Sequence, residues 1–117
     1  MSLNQQLKKG VLEILVLDII QEQDVYGYEL LKKLDENSVG LFVLKEGSLY
    51  PIMYRLEDKG HIVSYRQESK GKRGVTRKYY QITEQGKIEL EKMKEEWRLF
   101  DETVNRMLRR KGSKNGK

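Results

Sequence analysis

Basic side chains concentrated in one part of this 117-residue chain are the first candidates for chemistry. Residues 1–60 carry seven basic and ten acidic side chains, whereas residues 61–117 carry sixteen basic and eight acidic. Lys and Arg neutralise phosphate groups, so this excess permits a polyanionic partner. The candidate phosphate contacts are Lys70, Lys72, Arg73, Arg77 and Lys78.

A second candidate surface lies in the stretch EGSLYPIMYRLEDKGHI, residues 46–62. Apolar residues recur from Leu49 to Leu56 at i, i+3, i+4 and i+7, which predicts a helix with a core-facing stripe. Because a proline fits best in a first helical turn, Pro51 places the helix start between residues 46 and 48. The opposite side and its flanks offer small, hydroxyl, aromatic and guanidinium groups that can approach DNA closely and bond to it. The candidate DNA contacts there are Gly47, Ser48, Tyr50, Pro51, Tyr54 and Arg55.

Catalytic chemistry is poorly supported by the sequence. The single histidine, His61, follows a helix-terminating glycine, and no cysteine or second histidine could complete a metal site or a nucleophile pair. There is no glycine-rich phosphate loop and no G-x-S-x-G motif. We therefore predict no enzyme, no metal and no cofactor, and we expect His61 to cap or line the start of a strand.

The cellular location follows from two absences. Without cysteine the chain has no disulfide framework, which favours a reducing compartment. The first ten residues lack the long apolar core of a signal peptide, and the apolar run at 11–20 is too short and too charged to span a bilayer. We expect a cytoplasmic protein without a membrane partner.

The elements that must position these side chains can be read from apolar periodicity. Helices are predicted over about 3–21 and 26–37 in addition to the helix that begins near residue 46. Alternating, β-branched stretches at 62–69 and 76–83 predict two strands, joined by the flexible basic loop KGKRGV. A glycine at position 60 suits the left-handed residue after a helix. Four tyrosines that flank these interiors are expected to pack: Tyr26, Tyr28, Tyr79 and Tyr80.

The last helix is predicted over 84–110, with Thr83 as its N-cap, before a disordered basic tail at 111–117. Three helices, a hairpin and a long helix make an α+β chain with the plan of a winged helix-turn-helix. In that plan the third helix enters the major groove and the hairpin, or wing, reaches the neighbouring backbone. We assign residues 1–83 to this DNA-binding domain and 84–110 to a dimerisation helix.

Three separated motifs carry a family resemblance: YGYEL at 26–30, GSLYPIMYRLEDKGHI at 47–62 and RKYYQITEQG at 77–86. Together they resemble the PadR family of bacterial transcriptional regulators, from about Gly10 to Gly86. The single C-terminal helix resembles the short branch of that family. The resemblance implies a homodimeric regulator, usually a repressor, on a palindromic site, and in many members one that responds to a small aromatic molecule.

A short heptad seam in the last helix predicts the dimer interface. Six apolar residues are spaced 3, 4, 3, 4 and 3 apart: Leu90, Met93, Trp97, Phe100, Val104 and Met107. The competing interpretation folds this helix back on its own domain. Because two apolar helices would then overfill one small core, we favour a dimer, which places two recognition helices about one DNA turn apart on an inverted repeat.

Trp97 has two interpretations. The segment EEWRLFDETVNRML resembles the place where multidrug-sensing members of the family stack a flat ligand on a tryptophan of each subunit. A buried aromatic side chain at an interface is also ordinary packing. A small planar aromatic ligand is therefore a candidate partner at Trp97.

Three functions remain open from the sequence. The first is a dimeric repressor that binds double-stranded DNA, which the motifs favour. The second is a winged-helix module that binds protein or RNA without operator readout, and the third is a ligand-carrying dimer with vestigial DNA contacts.

Overall fold

The computed structural model describes residues 5–68 and 73–115, with side chains at 10–68 and 73–109. The predicted α+β order is confirmed. The elements are α1 (Gln5–Glu22), β1 (Val25–Tyr26), α2 (Gly27–Asn37), α3 (Glu46–Asp58), β2 (Ile62–Glu68), β3 (Thr76–Ile82) and α4 (Glu84–Asn115). Two predicted phosphate contacts, Lys70 and Lys72, lie outside the described residues.

The sheet contains a strand that periodicity did not predict. β1 is only two residues long, too short to show alternation, yet it pairs antiparallel with β3. The strand order is β1-β3-β2, with Val25 and Ser64 both opposite Tyr80. Because β1 pairs with β3 and leads directly into α2, hydrogen bonds join the wing to the start of the helix-turn-helix.

One hydrophobic core lies between the helices and the inner face of the sheet. Its fully buried side chains include Leu17 and Ile20 from α1, Leu30 from α2 and Met53 from α3. The stripe predicted for α3 is confirmed, since all four of its apolar residues are buried. Burial of that stripe fixes the opposite side of α3 toward solvent.

Pro51 lies deeper in α3 than predicted. The helix starts at Glu46, after Lys45 as N-cap, so Pro51 is its sixth residue and not part of the first turn. Its missing N–H leaves the Gly47 carbonyl, four residues back, without the usual helical partner. The helix continues through Pro51 because the core-facing stripe on either side holds it in place.

The end of α3 follows the sequence prediction closely. Gly60 has a φ of 79°, the left-handed conformation expected after a helix. Its N–H donates to the Glu57 carbonyl at 2.9 Å, and the His61 N–H donates to the Leu56 carbonyl at 2.9 Å. These two bonds form a Schellman motif, which stops the helix and turns the chain into β2.

Thr83 caps α4 as predicted, and the helix ends later than predicted. The Thr83 hydroxyl accepts the Gly86 N–H at 2.9 Å and donates to the Gly60 carbonyl at 2.7 Å. Residues 111–115, predicted as disordered, continue the helix to Asn115. A single glycine inside a helix, such as Gly112, costs only about 1 kcal/mol.

The predicted dimer seam divides at Met93. Leu90 is fully buried in the core of its own chain and Met93 packs against that core, so Leu90 cannot contact a partner. Lys94 Nζ lies 3.0 Å from Asp18 Oδ1 and fastens this part of α4 to α1. Sequence spacing alone does not reveal this division, because the same apolar stripe packs on the domain core at one end and is exposed at the other. From Trp97 onward the stripe is exposed in the single chain.

The outer face of the sheet carries a row of tyrosine rings. Tyr79 packs edge-on against Tyr26 at 5.5 Å between ring centroids, and it stacks on Tyr65 at 5.7 Å. The Tyr65 hydroxyl donates to Asp24 Oδ2, and this hydrogen bond is the main reason that the pKa of Tyr65 rises to about 12. The row ties all three strands together.

Tyr65→Phe should lower the melting temperature at neutral pH and make alkaline loss of stability shallower. The pKa of Tyr65 in the folded chain, about 12, lies above its ordinary value of 10.0. Its contribution is therefore complete below pH 10.0 and is lost as the pH rises through about 12. Circular dichroism melts across that range test this, with the exposed Tyr28→Phe as control. Some alkaline loss remains in the variant, because burial raises the pKa of Tyr80 to about 12 as well.

Candidate nucleic-acid interface

A cleft of about 430 Å³ separates the N-terminal part of α3 from the wing. It lies where the starts of α2 and α3 meet strands β2 and β3. Its lining is aromatic and basic, and the residues are Tyr26, Gly27, Tyr28, Glu46, Tyr50, Tyr54, Arg66, Arg77, Lys78 and Tyr80. Three cations against one carboxylate give the cleft a positive charge beside the predicted recognition helix.

The position of Tyr50 at one wall of the cleft depends on a glycine in α2. Tyr50 is half-buried and reaches across to the start of α2, where a Cβ on Gly27 would lie 2.7 Å from the Tyr50 hydroxyl oxygen. Any larger residue at position 27 would displace the Tyr50 side chain. Tyr50 is therefore a wall between α2 and α3, whereas Tyr54, one turn later, is exposed at the rim.

Five of the six predicted α3 contacts are exposed, but they do not form one group. Gly47, Ser48 and Pro51 are exposed on the N-terminal half of the helix. Arg55 lies on the side of α3 that faces α1, where its Nε is 3.2 Å from Glu13 Oε2. Arg55 does not line the cleft, but it lies beside Tyr54, and the two side chains line a second pocket on α3.

The wing cations are held over aromatic rings. The Arg77 guanidinium carbon lies 4.3 Å from the centroid of Tyr26, and Lys78 Nζ lies 5.5 Å from that of Tyr80. Such contacts hold a basic side chain in place while its charge stays accessible. Arg73, at the edge of the undescribed tip, is exposed and does not line the cleft.

Arg66 and Lys78 form a cross-strand pair of like charge. They are directly opposite in the β2–β3 register, and both line the cleft. Within the described part of the chain neither forms a salt bridge. Like charges directly opposite each other destabilise a sheet, and a bound anion would relieve this repulsion. The pair is thus suited to a phosphate.

Sequence reasoning missed several lining residues, although the signals were present. Tyr28 was expected to pack but is 64% exposed, and its helical phase is opposite to that of Leu30, which is buried. Arg66 shares the strand face of Ile62 and Ser64, so alternation alone places it on the side facing α3. Tyr26 could be placed in the cleft only with the pairing of β1 to β3, which the sequence pattern did not show.

Other kinds of site find little support in the described residues. No group of three or more His, Cys, Asp or Glu there could hold a metal ion. No helix among residues 5–68 and 73–115 has the length and apolar character needed to cross a membrane. His61 lies directly before β2, as expected, and is buried; its Nδ1 has no hydrogen-bond partner within the described residues.

Solved structures with the same architecture come from known regulators. A PadR-like transcriptional regulator from Bacillus cereus is 39% identical with a TM-score of 0.77, and the match covers 89% of this chain and 97% of that one. A transcriptional regulator from Clostridium thermocellum is 33% identical with a TM-score of 0.81, covering 89% and 96% of the two chains. The winged helix-turn-helix fold with a long C-terminal helix is thereby confirmed.

Sequence relatives agree with the structural ones. An uncharacterised protein from Lysinibacillus sphaericus is 35% identical over 97 residues, covering 83% of this chain and 87% of the relative. The transcriptional regulator YqjI of Escherichia coli is 30% identical over 95 residues, and the match spans 81% of this chain but 43% of that longer protein.

The family model for the transcriptional regulator PadR-like family matches residues 16–92, which include α2, α3, the wing and the start of α4. Proteins of this family are DNA-binding transcriptional regulators and not enzymes, in agreement with the cationic cleft beside α3 and with the sequence prediction of no catalysis. The chain belongs to the PadR-like family of transcriptional regulators.

Proposed function

We propose that this regulator is a homodimeric repressor that binds an inverted-repeat operator through α3 and the wing. The observation that carries the proposal is the cleft in which Arg66 and Lys78 face each other beside the exposed start of α3. Repression follows most simply from a dimer that occupies promoter DNA and excludes the polymerase.

The two surfaces of the site have different tasks in this proposal. The N-terminal half of α3 enters the major groove, where Gly47 and Ser48 allow close approach and Tyr54 contacts base edges or methyl groups. The basic wing residues Arg66, Arg77 and Lys78 contact phosphates, which positions α3 but carries little sequence information.

The exposed part of the α4 stripe supports a dimer. Trp97, Phe100, Val104 and Met107 form an apolar strip along a helix that has left the domain core. Charge is unevenly distributed along the same helix: residues 84–102 carry seven acidic and four basic side chains, and residues 103–115 carry five basic and no acidic ones. Antiparallel pairing places the basic end of each α4 beside the acidic half of its partner, which favours two-fold symmetry.

A planar aromatic ligand between the two α4 helices would relieve repression. The rings of Trp97 and Phe100 lie 5.8 Å apart at 36°, and both are exposed in the single chain. A ligand that spaces the helices differently from what DNA requires would shift the equilibrium away from DNA binding. Titration with planar aromatic dyes should quench Trp97 fluorescence, and an unchanged spectrum across a broad panel would contradict this part of the proposal.

Fluorescence anisotropy tests the function directly. The purified protein is titrated into duplex DNA from directly upstream of its own gene and into a scrambled duplex, each at low and near-physiological salt. We expect preference for the upstream duplex that survives the higher salt. Equal binding of both duplexes, lost together as salt rises, would favour a module without operator readout.

Arg66→Ala should weaken binding of specific and scrambled DNA by similar factors and lower the salt slope by about one. The reason is that a phosphate contact contributes affinity through counterion release and not through base recognition. We expect the same result for Arg73→Ala. Lys92→Ala, on an exposed lysine of α4 outside the cleft, is the matched control and should change neither quantity. A loss confined to one duplex would assign Arg66 to base recognition instead.

A further inference from the structure

Glu13 of α1 joins two basic residues on one flank of α3. Its Oε2 lies 3.2 Å from Arg55 Nε, and its Oε1 lies 3.8 Å from Lys59 Nζ. Arg55 and Lys59 are four residues apart, so they lie on the same side of the helix. One carboxylate thus serves two cations at the edge of the proposed DNA-reading surface.

The Arg55 contact uses only one edge of the guanidinium group. Nε–H donates to Glu13, and among the described residues neither Nη atom has a hydrogen-bond partner. The two Nη groups form the fork that recognises guanine or phosphate with two parallel bonds. The carboxylate therefore restricts the rotation of Arg55 while leaving its recognition edge available.

A purely structural role accounts poorly for this arrangement. The Arg55 and Lys59 side chains are about half exposed, and ion pairs that exposed contribute little to stability. The position of these ion pairs has a larger consequence for DNA binding. An arginine already held in one rotamer loses less freedom on binding, and a neutralised cation adds less to indiscriminate attraction for DNA.

We propose that Glu13 is a positioning residue that determines operator selectivity, by orienting Arg55 toward DNA and cancelling one positive charge on that flank of α3. This inference rests on the proposed function, because selectivity presupposes an operator. Both ion pairs of Glu13 lie outside the cleft, so its role differs from the phosphate contacts of the wing.

The test compares specificity and not stability alone. Wild type, Glu13→Gln and Arg55→Lys are each used to select duplexes from a random-sequence pool, and the affinity for the enriched wild-type duplex is divided by that for a scrambled one. Glu13→Gln keeps the size of the side chain and removes its charge, and Arg55→Lys keeps the charge and removes the fork. Glu22→Gln, on an exposed glutamate of the same helix, is the matched control.

We expect Glu13→Gln to lower the specificity ratio about 5- to 10-fold, partly by raising affinity for scrambled DNA, while Glu22→Gln stays within about 2-fold. Arg55→Lys should lower the ratio similarly, and adding Glu13→Gln to it should lower the ratio no further. Ratios that match wild type in both single variants would overturn the inference and leave the proposed function intact. Failure of the wild type to enrich any sequence would overturn both.

Discussion

We expect Phe100→Glu to convert the proposed dimer into a monomer and to lower affinity for an inverted-repeat duplex by about two orders of magnitude. Phe100 is 61% exposed in the single chain and lies in the middle of the apolar strip of α4. In a two-fold dimer each copy of the strip faces the other, so one substitution introduces two carboxylates into the interface. Burying unpaired charges there costs more than the apolar contact contributes.

Leu99→Glu is a close control for this variant. Leu99 is 59% exposed, nearly the same as Phe100, but one residue along the helix places it about 100° away and outside the strip. Sedimentation velocity at several concentrations should show a monomer for Phe100→Glu and a dimer for Leu99→Glu. Two dimers would contradict an interface on this strip, and two monomers would extend the interface around the helix.

The expected loss of DNA affinity comes from losing simultaneous binding of two half-sites, and not from any contact between Phe100 and DNA. Phe100 is far along α4 from α3, and a monomer retains its complete α3, cleft and wing. Its affinity for one half-site should therefore match that of wild type for a single half-site. Only the gain from binding two half-sites at once is lost. Titration of a half-site duplex separates this from a damaged DNA-binding surface.

Local patterns predicted most of the fold. The apolar stripe of α3, the cap at Thr83 and the left-handed Gly60 each follow from interactions within a few residues, and all three are confirmed. The wing strands follow from alternation and are correct to within one residue. Such features depend on interactions between residues that are close together in the sequence, so local patterns predict them.

Contacts between distant segments limited what could be predicted of the candidate site. The pairing of Glu13 with Arg55 spans 42 residues, and no periodicity reports it. The same holds for the pairing of β1 with β3, which brings Tyr26 into the cleft. Leu90 shows the converse error: its heptad spacing is real, but the packing of α1 decides that it faces its own core.

Gly86→Ala should lower the free energy of unfolding by about 3 kcal/mol. Gly86 lies in the first turn of α4, directly over the chain between α3 and β2. A Cβ there would overlap the His61 carbonyl oxygen and come within 2.8 Å of Ile82 Cγ1. The carbonyl is backbone and cannot rotate aside, so either α4 or the start of β2 must move.

Gly10→Ala is the control, because it makes the same change inside a helix where, among the described atoms outside the helix's own backbone, none lies within 4 Å of the new Cβ. Alanine is the better helix former, so this variant should be more stable by about 0.5–1 kcal/mol. Urea denaturation at one fixed protein concentration compares the two. Equally small changes in the free energy of unfolding for the two variants would mean that α4 and the start of β2 move apart at little cost.

The position of Gly86 also connects stability to function. The same His61 carbonyl accepts the Thr83 N–H at 3.0 Å, and the Thr83 hydroxyl bonds the Gly60 carbonyl at the end of α3. These two hydrogen bonds, together with the close approach of Gly86 to the same carbonyl, fix the end of α3 to the start of α4. If Gly86→Ala still folds, displacement of α4 relative to α3 would change the spacing of the two α3 helices in the proposed dimer, and we expect affinity for the inverted repeat to fall more than affinity for a half-site.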